Sequence, residues 1–73
     1  MLERVTLAEI QAVFAVTDAL GISREALVIP LVPGRPGRVR RLASGKLEIV
    51  LDAETPLGQW LEGLPALITA AGA

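Results

Sequence analysis

Seventy-three residues make one small domain, whose limited interior gives a core of modest net stability. The chain has neither cysteine nor histidine, which excludes disulfides, iron–sulfur clusters, thiolate zinc sites and imidazole acid–base chemistry. Its formal net charge of −1 hides a division: residues 35–46 hold Arg35, Arg38, Arg40, Arg41 and Lys46, and all the carboxylates lie elsewhere.

Apolar residues and glycine make about 62% of the chain, against roughly 45–50% in ordinary globular domains. A domain this small has little interior to hide such a surplus, so part of it is expected on the surface as an interaction patch. A homo-oligomer, a dimer in the simplest case, is the expected state. No apolar run approaches the ~18 residues of a membrane span. The early charges at Glu3, Arg4 and Glu9 do not fit a signal peptide, so a cytoplasmic location without membrane contact is expected. Lack of asparagine and six arginines to one lysine fit a thermophilic source and a GC-rich genome alike.

In chain order, Thr6 followed by Glu9 forms a capping box, in which each side chain satisfies a free backbone N–H of the other residue. Leu7, Ile10, Val13, Phe14, Thr17 and Leu20 recur at helical spacing, which predicts a helix over residues 7–20. Gly21 suits the left-handed position past a helix end, with Ile22 folding back over the last turn. Ser23 is placed to cap one further turn over residues 24–26. Residues 27–32, LVIPLV, have strand composition. Pro30 donates no hydrogen bond, so this strand belongs at a sheet edge or is bulged there. Residues 33–37, PGRPG, form a stiff loop.

Ser44-Gly45 then separates two strand-like runs, residues 38–43 and 46–52, as a two-residue hairpin turn. With Ala43 opposite Lys46, Arg41 faces Glu48, and Leu42, Leu47, Ile49 and Leu51 share one face. That register leaves Arg38 and Arg40 on the apolar face, where an unpaired charge is costly. Thr55-Pro56 marks a second helix start. Gly63 and Pro65 interrupt the stripe of Leu57, Trp60, Leu61, Leu64, Leu67 and Ile68, predicting two short helices over residues 56–62 and 65–71. The expected fold is a small α+β domain. Its three-stranded, mostly antiparallel sheet consists of an edge strand and a β-hairpin. An N-terminal helix and a broken C-terminal helix pack on one face.

Chemistry-bearing constellations are few. The hydroxyls are Ser23, Ser44, Thr6, Thr17, Thr55 and Thr69; with no histidine as base, nucleophilic catalysis has no activating partner. Ser44 with Lys46 lies on an exposed turn, and Glu48, Asp52 and Glu54 are spread too far along a strand for one Mg²⁺. No catalytic residue, cofactor or metal is therefore expected. The basic stretch is the strongest candidate site, since Arg35, Arg38, Arg40, Arg41 and Lys46 could neutralise several phosphates of a nucleic acid. Within it, Gly34-Arg35-Pro36 resembles three residues of the AT-hook core, with Pro33 where that module has arginine. The opposing expectation is that these arginines pair with carboxylates of the same or another subunit. Leu27, Ile29 and Leu31 on the edge strand, and Trp60 as an anchor, are the candidates for self-association. The leading expectation is a small non-enzymatic interaction or accessory module that self-associates; the alternative is a nucleic-acid-binding domain.

Overall fold

The computed structural model describes residues 4–72. The order is α1 (Leu7–Ala19), a 3₁₀ turn (Arg24–Ala26), β1 (Leu27–Val28), β2 (Arg38–Arg41), β3 (Leu47–Val50) and α2 (Leu57–Ala70). The three strands form one sheet in the order β1-β3-β2, so the α+β class is as expected. The pairing is mixed instead of mostly antiparallel, because β1 runs parallel to β3 while β2 runs antiparallel to it.

The first helix is closed at both ends by its own sequence. Thr6 Oγ1 accepts the Glu9 N–H at 3.5 Å, and Glu9 Oε1 accepts the Thr6 N–H at 3.0 Å, completing the capping box. At the other end the Ile22 N–H reaches the Thr17 carbonyl and the Gly21 N–H the Asp18 carbonyl. These are the two bonds of a Schellman motif. Arg24 then ties the following turn to α1. It donates to both Asp18 oxygens, at 3.3 and 2.7 Å, while lying 4.6 Å over the Phe14 ring. Phe14 is half-buried beneath it.

The expected strand over residues 27–32 is shortened to Leu27–Val28. It stops ahead of Pro30, which lacks the N–H a ladder needs. The chain is held again at Leu31, whose carbonyl accepts the Val5 N–H at 2.8 Å, and at Gly34, which bridges to Asp52. The loop between Gly34 and Gly37, in which the Arg35–Pro36 peptide bond is cis, folds over the outer side of Val50. A Cβ on Gly37 would stand 2.5 Å from the Asp52 backbone nitrogen, closer than side chains approach backbone, so only glycine fits this crossing.

The hairpin departs from expectation by one residue. Arg38 pairs with Val50, Val39 with Ile49, Arg40 with Glu48 and Arg41 with Leu47. Ala43 belongs to the turn, making a three-residue loop that ends on Gly45 at φ +89. A left-handed third residue of this kind closes such loops with a bulge. A slip of one residue exchanges the faces of a strand. Arg38 and Arg40 therefore point to solvent, and Val39 meets the core. The register that removes two guanidinium groups from the apolar side prevails, because leaving them unpaired in the core would cost more than any turn preference.

The expected break in the C-terminal helix is also absent: α2 runs unbroken through Pro65. One missing N–H at Pro65 is outweighed by Trp60, Leu64 and Ile68, which enter the core from either side of it. With Val5, Val13, Leu47, Ile49 and Leu51 these form one buried cluster. Each fully buried aliphatic side chain contributes about 1.5–3 kcal/mol. Among the described residues Thr17 is the one fully buried polar side chain, and it donates its hydroxyl to the Phe14 carbonyl at 3.3 Å.

Candidate functional site

The basic residues do not form one surface. Arg38 and Arg40 share the solvent face of β2, but Arg40 Nε donates to Glu48 Oε1 at 2.7 Å. The Arg–Glu pair expected at Arg41 thus forms one residue earlier, following the register. Arg41 lies on the other face, opposite Leu47. It donates to the carbonyls of Gly72 at 2.7 Å and Gly45 at 3.3 Å. That bond satisfies an orphan carbonyl just past α2 and ties the helix end to the hairpin turn. Lys46 is exposed at the hairpin tip and Arg35 in the loop. Among the described residues neither Arg38 nor Arg41 has an ion pair, and of the two only Arg41 is held by side-chain hydrogen bonds.

The apolar candidates also divide. Leu27 and Ile29 are half-buried against the core cluster, and Trp60 is 9% exposed. Leu31 is 54% and its neighbour Val32 74% exposed. Leu7, two residues past the Val5–Leu31 hydrogen bond, is 67% exposed. The sequence places Leu31 and Val32 together in a strand and Leu7 on the apolar stripe of the first helix, and none of the three is covered in the fold. The prolines flanking Leu31 and Val32, Pro30 and Pro33, are the signal that the pair lies in a loop.

Beside this loop lies a cleft of about 340 Å³ that the sequence reading did not assemble, at the small end of roughly 300–1,000 Å³ for ligand clefts. Trp60, Leu57 and Pro56 supply its apolar wall, and Glu9, Asp52 and Glu54 its carboxylates. Asp52 builds the wall: Oδ1 accepts the N–H groups of Glu54 and Thr55, each at 2.8 Å, and Oδ2 that of Gly37 at 3.1 Å. The bonds from Glu54 and Gly37, the two largest influences, hold its carboxyl below the usual value. Glu9 is lowered likewise by its bonds to Thr6. Asp52 three residues ahead of Thr55-Pro56 is the sequence signature of this side-chain turn.

The hydroxyls all have structural partners. Thr6, Ser23 and Ser44 accept backbone N–H groups, Thr17 and Thr69 donate to carbonyls one turn back, and Thr55 bonds Asp52. Among the described residues no three carboxylates converge to hold a metal ion, and no helix is long and apolar enough to cross a membrane. Protein-family models, curated proteins and solved structures give no match to this chain.

Proposed function

We propose that this protein is a non-enzymatic interaction module that self-associates, with a dimer as the simplest form. One observation carries the reading: Leu31 and Val32 are consecutive, exposed 54% and 74%, on a loop stiffened by Pro30 and Pro33. Single exposed apolar residues are ordinary. An adjacent pair on a pre-ordered loop loses little conformational freedom on binding, which is what favours a contact surface. The sheet edges support the same reading by elimination. β1 offers only two residues, and a second β2 laid against the first would crowd six arginines along one seam. The engagement of each hydroxyl in a hydrogen bond within the fold supports a role outside catalysis.

Sedimentation of the protein at about 100 μM is the test. A dimer is expected, and a Leu31→Ser, Val32→Ser double variant with an unchanged far-UV spectrum is expected to sediment as a monomer. A strictly monomeric parent protein sinks the proposal.

A further inference from the structure

The exposed loop and the cleft lie on the same end of the molecule, side by side. Val5 bonds the Leu31 carbonyl, and four residues later Glu9 enters the cleft. On its return the loop is pinned to the cleft's other wall, where the Gly34 N–H donates to the Leu51 carbonyl and the Ala53 N–H to the Gly34 carbonyl. Leu31 and Val32 nonetheless do not line their own cleft. A projection and a recess that flank each other on one surface are self-complementary, because a two-fold rotation sets each projection before the other's recess.

The charges match in the same sense. The arm carrying Leu31 and Val32 continues through Arg35 to Arg38 without a carboxylate. The cleft holds three carboxylates and no cation. Glu54 is exposed and has no ion pair among the described residues, and Arg38 is in the same condition. Arg38 opens β2 opposite Val50, two residues short of Asp52, and so stands at this end of the sheet.

We propose that the cleft of Trp60, Leu57 and Pro56 receives the Leu31–Val32 loop of a second copy, with Arg38 of each copy meeting Glu54 of the other, in a closed two-fold dimer. The assignment rests on the self-association proposed above and names the surface that performs it. Each dimer contains the Arg38–Glu54 contact twice, so reversing either charge places two repulsive pairs in the homodimer. In an equimolar mixture of the two reversed variants, both contacts are again between opposite charges.

The experiment measures dimer dissociation by sedimentation and by Trp60 fluorescence for the parent protein, Arg38→Glu, Glu54→Lys and the mixture of the two. Each variant alone is expected to raise Kd about tenfold or more, and the mixture to return to within about threefold of the parent value. Trp60 emission is expected to change with dimerisation. Recovery on mixing also establishes that both variants are folded. A parent dimer that tolerates both reversals, or one whose loss is not recovered on mixing, overturns the cleft assignment and leaves self-association standing. A monomeric parent protein removes both.

Discussion

Asp52 joins three pieces of chain with one carboxylate. Its bonds to Gly37, Glu54 and Thr55 fasten the crossing loop to the end of β3 and set the turn into α2. Because those N–H groups favour the charged form, the folded pKa lies below the unfolded one. A group depressed in this way contributes stability that is fully present above the unfolded value, near 3.9, and is lost as pH falls through the folded value. Glu9 and Asp18 are shifted in the same direction, by Thr6 and by Arg24. Melting temperature is therefore expected to hold from neutrality down to about pH 4 and to fall below it. An Asp52→Asn variant should melt lower than the parent at pH 7, because its amide group faces a backbone N–H, and its acid decline should be shallower. Thermal melts between pH 2 and 7 check both, and an unaltered acid decline in Asp52→Asn would assign the effect to the other carboxylates.

At the level of elements, the bounds of α1 were legible because its end signals are local, a capping box and a glycine past the last turn, whereas of its apolar stripe Val13 and Thr17 are buried and Leu7 and Leu20 are exposed. The position of the hairpin was legible too, but its loop length was not. Ser44-Gly45 serves a two-residue turn and a three-residue turn with a left-handed glycine equally well. The choice is made by Val39 and Arg40 competing for the core, a non-local matter. The continuity of α2 was illegible for a related reason. Pro65 weighs against a helix locally, and the weight of Leu64 and Ile68 in the core exists only once the sheet is in place. Pro65→Ala restores the bond to the Leu61 carbonyl at a half-buried position. It is expected to raise stability, by at most about 3 kcal/mol. Urea unfolding of the two proteins measures the difference, and a loss of stability would mean that the ring packs better than a methyl group.

Across the whole molecule, the candidate site was the least legible part. The division of charge was visible in the sequence, but where each charge points depended on the register and on the loop that crosses Val50. The cleft between the starts of the two helices depended on Asp52 joining segments fifteen residues apart. Exposure of Leu31 and Val32 is likewise a property of the assembled fold. The same six letters, LVIPLV, supply two residues to the sheet, two that are half-buried and two to the surface.

The central place of β3 sets an order in time. Its pairing with β2 spans a three-residue turn, whereas its parallel pairing with β1 joins Leu27 to Leu47 across the whole of the intervening chain. Closing the longer loop costs more entropy before any contact rewards it. The hairpin should thus be the earlier structure in folding, and β1, with the α1 segment that precedes it, the later arrival. In pulsed hydrogen exchange during refolding, amides bonded within β2 and β3 are expected to gain protection before those of β1. Simultaneous protection would mean a single nucleus spanning both pairings.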